Sequence, residues 1–249
     1  MNKIKEFVND IGIEISDKQL EQFNMYYEML VEKNKVMNLT AITEKDEVVI
    51  KHFIDSIALA KYYDFSKNIK LIDVGTGAGF PGLPLKILFP NIKVTLFDSL
   101  NKRILFLNEV IEKLELDNIE AVHGRAEEGA RNAKMREGYD LVVSRAVANM
   151  AVLSEYCLPF VKVGGYFIPY KTASIDEELN SGKKAINILG GKCEKVNKLC
   201  ITLDGFINED ISSIGDNNLG RSFIFIKKEK NTPKAYPRKA GTANKQPLL

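Results

Sequence analysis

The sequence predicts an α/β fold: a mainly parallel sheet of seven strands, covered by helices on both faces and preceded by a helical N-terminal extension. Three observations carry this expectation. Short apolar runs alternate with helix-length amphipathic segments from Lys70 to Ile226. A glycine-rich turn closes the first of those runs. The first 65 residues instead repeat their apolar side chains at helical spacing. Alternation of this kind implies parallel strands buried on both faces. Right-handed crossovers then gather the loops after the strand C-terminal ends on one rim, where ligands bind.

The elements follow in order. Ser16 can cap a helix with Gln19 as its capping-box partner. Leu20, Phe23, Tyr27, Leu30 and Val31 recur at helical spacing behind it. Asn34 to Thr40 breaks the pattern as a loop. Thr43 opens a second helix whose apolar face is Val48, Val49, Phe53, Ile54, Ile57 and Ala58. Strands are expected at Lys70–Val74, Lys93–Phe97, Ile119–Val122, Asp140–Val143, Tyr166–Ile168, Lys195–Thr202 and Ser222–Ile226. Pro84–Phe89, Lys102–Leu114 and Ala151–Val161 read as helices. The domain boundaries expected are 1–65 for the helical extension, 66–229 for the α/β domain and 230–249 for a basic, flexible tail. Pro233, Pro237 and Pro247 disfavour regular structure in that tail.

Composition excludes several classes. The chain has 249 residues, 45% of them apolar, enough for a substantial core. It has no apolar run long enough to span a bilayer, and Met1–Asp10 lacks the continuous apolar stretch of a signal peptide. Cys157, Cys193 and Cys200 are too few and too irregularly spaced for a disulfide framework, so free thiols in the cytoplasm are expected. With only His52 and His123 besides, no metal site is expected. Charge is uneven: Lys227–Leu249 carries seven basic side chains against Glu229, a local +6 in a chain of net +2. Such a tail suits the phosphates of a nucleic acid, although solvated charge runs are also common at termini.

The glycine turn is Asp73-Val74-Gly75-Thr76-Gly77-Ala78-Gly79-Phe80-Pro81-Gly82. Glycines there let the backbone turn sharply and approach a ligand. Gly77-x-Gly79-x-x-Gly82 satisfies the dinucleotide fingerprint, and Asp98 ends the next strand, where a carboxylate can receive ribose hydroxyls. Both features fit a nicotinamide dinucleotide or S-adenosylmethionine. Asp73 shifts the balance: a carboxylate suits the sulfonium and ammonium of S-adenosylmethionine and repels a pyrophosphate.

With these residues in view, the chain resembles the bacterial 16S ribosomal RNA guanine-N7 methyltransferases, the glucose-inhibited division protein B family. The resemblance rests on Asn34-Lys35-Val36-Met37-Asn38-Leu39-Thr40, His52, Asp55-Ser56 and Asp73–Pro84. It continues in Asp98-Ser99-Leu100, Arg125-Ala126-Glu127, Ser144-Arg145-Ala146, Lys171 and the tail Thr232–Thr242. It implies a Rossmann-like class I methyltransferase fold that binds S-adenosylmethionine. Gly75 and Phe80 would line the methionine and sulfonium end, with Asp73, Gly77 and Gly79 also binding the cofactor. Asp98 would hold the ribose, and Ala126 and Glu127 would meet the adenine. Arg145 would lie between cofactor and substrate, with Asn38, Arg125 and Lys171 contacting RNA or shaping the guanine pocket. The implied partner is 16S rRNA or the small subunit, whose phosphates the basic tail would meet; a cytoplasmic enzyme is expected, with a monomer as the default where the sequence leaves the oligomeric state open.

The acceptor chemistry has support in the residues themselves. Guanine N7 carries a lone pair and no proton, so its methylation needs no general base. The fourth strand ends in Ser144-Arg145, where amine-directed methyltransferases usually carry Asn/Asp-Pro-Pro-aromatic. Plainer readings stand beside these: Arg145 pairing with an acid, His52 satisfying a core hydrogen bond, His123 at the surface and Asn38 bonding its own loop.

Overall fold

In a computed structural model describing residues 1–202, 204–205, 207–208 and 218–249, the chain begins with helices α1 (Asn2–Asp10) and α2 (Asp17–Met37). Ser16 caps α2: its hydroxyl accepts from Gln19 N, and Gln19 Oε1 returns a bond to Ser16 N at 2.9 Å, as the capping box requires. Gln22, Phe23, Tyr26 and Leu30 form the buried face of α2, so Tyr26 takes the central place expected of Tyr27. The helix runs through Asn34 to Met37 and ends at Asn38, whose φ of 48° is left-handed. The loop expected from Asn34 therefore starts four residues later: Asn34 to Met37 continue the helix, and Asn38 N still bonds back to Asn34 O. A second, broken helix follows: α3 (Lys45–Val48), a π-helical turn at Val49–Ile54, α4 (Asp55–Ile57) and a 3-10 turn at Ala58–Lys61. All six apolar positions expected to face inward there are buried.

The remaining elements alternate. They are β1 (Lys70–Val74), α5 (Gly82–Leu88), β2 (Lys93–Asp98), α6 (Asn101–Lys113), β3 (Ile119–His123), α7 (Ala126–Gly129), β4 (Tyr139–Arg145), α8 (Met150–Cys157), β5 (Val161–Thr172), α9 (Asp176–Ile188), β6 (Gly191–Ile201), the two-residue β7 (Ile207–Asn208), β8 (Leu219–Lys228) and α10 (Thr242–Lys245). The expected helix at Ala151–Val161 divides in two: after α8, a 3-10 turn at Leu158–Phe160 carrying Pro159 leads into β5. Helices α7, α9 and α10 and the short β7 are additions to the expected series.

One sheet holds the strands in the order β3-β2-β1-β4-β5-β8-β6-β7. Neighbours from β3 to β5 are parallel, whereas β8 runs antiparallel to both β5 and β6. An all-parallel dinucleotide fold has the order 3-2-1-4-5-6. The antiparallel strand inserted beside β5 departs from it, and it has a positional consequence. Register pairs Val74 with Phe97, Asp98 with His123, Arg145 with Tyr170 and Thr172 with Arg221. The C-terminal ends of β1, β2, β4 and β5 thus share a rim with the start of β8.

Two apolar clusters cover the sheet. The larger joins Ile4, Phe7, Phe23, Tyr26, Phe53 and Ile57 of the N-terminal helices to Leu71, Leu96, Phe106, Leu107 and Phe223. The extension 1–65 therefore shares its core with the sheet. The other joins Ile72, Phe97, Val142, α8 and α9, and it includes Ala243 of the tail.

Residues 230–249 differ from the flexible tail that the sequence suggests. Arg136 donates to Thr232 O at 2.7 Å and Tyr236 O at 2.9 Å, Arg131 donates to Pro237 O, and Arg238 meets the buried Glu155 at 2.6 Å. Prolines prevent a long helix here. Side-chain donors and acceptors instead satisfy the irregular backbone.

Candidate active site

The glycine turn leaves β1 at the rim. Gly75, Gly77 and Gly79 have φ of 75°, 63° and 112°, the region that glycine enters without strain. At two of them space is also tight: a Cβ on Gly75 would stand 2.5 Å from Val147, and one on Gly79 would stand 2.4 Å from Leu83. Asp73, fully buried, ties the turn together. Its Oδ2 accepts from Thr76 Oγ1 at 2.7 Å and from Gly82 N at 2.8 Å, while Oδ1 has no partner among the described residues. Burial raises the Asp73 pKa to about 7, against the opposing bonds from Thr76 and Gly82. Asp98 braces the turn from β2, accepting from Gly77 N at 2.9 Å, Leu100 N at 2.9 Å and Arg103 Nη1 at 3.2 Å.

A cavity of about 230 Å³ opens between these strand ends. Val74, Gly75, Phe97, Asp98, Ala126 and Glu127 line it, together with exposed Arg125 and, from the tail, Gly241 and Asn244. A wider depression of about 730 Å³ lies at the opposite edge, among Lys70, Lys93 and Lys162 at the strand starts. The cavity at the C-terminal rim, which the glycine turn borders, is the one placed for ligand chemistry.

Phe80, at the far end of the turn, borders a second cluster. Tyr26 and His52 stack on its ring at centroid distances of 5.4 and 4.7 Å, and the Arg145 guanidinium lies 5.0 Å from the centroid. Arg145 Nη1 donates to Asp55 Oδ2 at 2.6 Å and Lys51 O at 3.2 Å. Arg221 reaches the same carboxylate through Nε at 2.5 Å and Nη2 at 2.9 Å. Burial alone would raise the Asp55 pKa, but Arg221 and then Arg145 outweigh it and hold the carboxyl below its ordinary value. One carboxylate thus faces two guanidiniums, leaving an excess positive charge beside Phe80. His52 adds none near neutrality, since burial and then Arg145 lower its pKa to about 4. Its Nε2 contacts Thr40 Oγ1 at 2.8 Å, fixing the loop after α2.

The sequence-derived set therefore divides. Gly75, Asp98, Arg125, Ala126 and Glu127 share the cavity, while Asp73, Gly77 and Gly79 shape its turn. Arg145 stands with Phe80 in the second cluster, and its observed partner is an acid, the plainer reading of that residue. Glu127 accepts from Gly241 N at 2.9 Å. Lys171 is spanned by Ala148 O and Glu178, each at 2.6 Å, and so ties β5 to the loop after β4. Asn38 is a left-handed cap at the end of α2. Ser144 donates to Val74 O at 2.7 Å, locking the end of β4 to β1. Sequence reasoning missed Arg221 and the central place of Asp55. The start of the antiparallel β8 brings Arg221 to the pair that Asp55 and Arg145 already form.

The residues present fit S-adenosylmethionine. The unpartnered Asp73 oxygen and the positive-φ glycines suit a cationic ligand held close to the backbone, and Asp98 keeps acceptor capacity for ribose hydroxyls beyond the bonds it makes. Strand order, glycine turn and cavity together define a class I methyltransferase. Solved structures agree on the fold: TYW2 from M. jannaschii, in complex with AdoMet, aligns at TM-score 0.54 and 12% identity, over 75% of this chain and 78% of that one. A putative methyltransferase from Bacillus halodurans aligns at TM-score 0.52 and 16% identity, over 71% and 99%. The family model for rRNA small subunit methyltransferase G matches residues 19–203. Relatives bearing that name are 52% identical in Lachnoclostridium phytofermentans, over 97% of this chain and 95% of theirs, and 50% identical in Bacillus cytotoxicus, over 100% and 98%. The chain belongs to the rRNA small subunit methyltransferase G family, and S-adenosylmethionine is its cofactor.

Proposed function

We propose that this protein transfers the methyl group of S-adenosylmethionine to N7 of a guanine in 16S rRNA, acting as a monomer on the small subunit or its RNA in the cytoplasm. The observation that carries the reading is the family match over the whole chain, joined to an arginine-rich cluster beside the cofactor turn. S-adenosylmethionine supplies a methyl group on a cationic sulfur. Asp73 and the turn glycines hold its amino-acid end, Asp98 receives the ribose hydroxyls, and Ala126 and Glu127 border the adenine. Phe80 lines the methionine and sulfonium end and Arg145 lies between cofactor and guanine, with the Arg145–Asp55–Arg221 assembly leaving positive charge beside them. Asn38, Arg125 and Lys171 line the approach.

Catalysis then rests on position and electrostatics. The N7 lone pair attacks without loss of a proton, so the neutral His52 beside Phe80 is not required as a base. Strand β4 ends in Ser144-Arg145 rather than the Asn/Asp-Pro-Pro-aromatic motif of amine-directed methyltransferases, which also supports a ring nitrogen as acceptor. Exposed Lys230, Lys234, Lys239 and Lys245 are the tail cations available for phosphate, since Arg238 is committed to Glu155.

The test is label transfer from S-adenosylmethionine to small subunits purified from cells lacking the family enzyme. Arg145→Ala is expected to lower transfer by about a hundredfold, the order of a missing orienting group, while cofactor binding measured by calorimetry persists. Full transfer by that variant would overturn the role given to Arg145.

A further inference from the structure

The C-terminal segment lies outside the part of the chain that the family model matches, yet it reaches the cofactor cavity. After β8 the chain meets the 3-10 turn and α8 in irregular backbone broken by a turn at Pro233–Tyr236. Thr232 is anchored at the start: its N donates to Glu137 Oε1 and its hydroxyl to Leu189 O at 2.8 Å. Arg131 and Arg136 then hold its carbonyls from below. Farther along, Arg238 grips Glu155 of α8 by a two-pronged contact, Nε to Oε1 at 3.0 Å and Nη2 to Oε2 at 2.6 Å, and its main-chain N donates to Oε1 at 2.7 Å. Glu155 is only 1% exposed, so this clasp neutralises a buried charge. Three residues later Gly241 N donates to Glu127 Oε1 at 2.9 Å, and buried Ala243 seats α10 in the second apolar cluster.

Glu127 is the pivot. It lines the cavity beside Ala126 and at the same time receives the tail, while Gly241 and Asn244 line the same cavity as Asp98 and Gly124. Solvated charge would not need a buried carboxylate, a guanidinium clasp and an apolar anchor within seven residues. We infer that Arg238–Asn244 is a strap that completes the cofactor site by closing the cavity over the purine of the adenosyl group, with Arg238 and Asn244 acting as positioning residues for the cofactor. This rests on the reading that S-adenosylmethionine occupies the cavity at the strand ends. Coupling must then be reciprocal: a docked strap strengthens cofactor binding, and bound cofactor holds the strap down.

The experiment has two arms on the full chain. Hydrogen exchange of residues 238–246 is expected to slow about tenfold when S-adenosylmethionine saturates the protein, equivalent to about 1.4 kcal/mol of coupling. Arg238→Gln, and separately the milder Asn244→Ala at an exposed position, are expected to raise KM for S-adenosylmethionine several-fold while kcat and KM for RNA stay put. Cofactor binding without any change in exchange overturns the strap, as does an increase in KM for RNA alone, which would make the segment an RNA-binding element. Failure of the full chain to bind S-adenosylmethionine by calorimetry removes the cofactor reading itself, a result separable from either of those.

Discussion

Asp55→Asn tests the electrostatic core of the site. Asp55 is fully buried and accepts three charge-assisted bonds from Arg145 and Arg221, whose side chains are 11% and 15% exposed. The substitution keeps the volume but leaves two guanidiniums facing a neutral amide in a site nearly closed to water. Breaking a buried pair by removing one partner costs about 3–5 kcal/mol, a large share of the roughly 5–15 kcal/mol that holds a domain together. At about 2–4 °C per kcal/mol for a chain of this size, the melting temperature is expected to fall by about 6–20 °C. Urea unfolding gives the free energy directly. The pH dependence follows from the lowered Asp55 pKa. A carboxyl whose folded pKa is depressed stabilises fully above its unfolded value of about 3.9 and loses that contribution as pH falls through the folded one. The gap between wild type and variant should therefore be full at pH 7 and shrink below about pH 4. Adding Arg221→Leu to Asp55→Asn should recover part of the stability. A destabilisation below about 1 kcal/mol, the ordinary range of exposed pairs, would show that the cluster is open to water and refute the buried-charge account.

Other consequences are separately measurable. With the Asp73 pKa at about 7 in the ligand-free protein, S-adenosylmethionine should bind more tightly as pH rises from 6 toward 7.5, and Asp73→Asn should abolish that slope in calorimetry. Gly79→Ala places a Cβ 2.4 Å from Leu83 at a φ of 112°, so it should lower stability by about 1–3 kcal/mol in urea titration; a neutral result would mean that the turn relaxes. The folded His52 pKa of about 4 lies below its unfolded value. Its contribution to stability is thus complete above about pH 6.5 and declines as pH falls toward 4, and proton NMR should find no His52 titration between pH 6 and 8. Replacing Lys234, Lys239 and Lys245 by Gln should make the salt dependence of RNA binding shallower, by up to about one in log–log slope for each phosphate no longer neutralised; an unchanged slope would remove the tail from that interface.

Local chemistry makes parts of this molecule readable from sequence. The Ser16–Gln19 box, the strands alternating around Asp73–Gly82 and the position of Asp98 are set by neighbours within a few residues, so periodicity and capping rules reach them. The strand-end position of Arg145 is legible for the same reason. Its partner is not, because Asp55 lies 90 positions away and Arg221 a further 76. Strand β8 adds Arg221 to the Asp55–Arg145 pair by entering antiparallel to β5, and no local signal fixes that. The tail errs in the opposite direction. Its charge suggests a solvated terminus, whereas Glu127, Glu137 and Glu155, scattered through other elements, supply acceptors for it. The fully buried Tyr26 stands next to the expected Tyr27, a shift of one position around a helix whose apolar stripe is broad.

The most direct test of the central claim is the chemical identity of the methylated product. Small subunits from cells lacking the family enzyme would be incubated with this protein and labelled S-adenosylmethionine, and the RNA digested to nucleosides and separated by mass spectrometry. The account requires a single 7-methylguanosine, mapping to one site in 16S rRNA and formed about a hundredfold more slowly when Arg145 is replaced by Ala. Label on an exocyclic amine, a ribose or a protein, or no transfer from a cofactor that demonstrably binds, would contradict it.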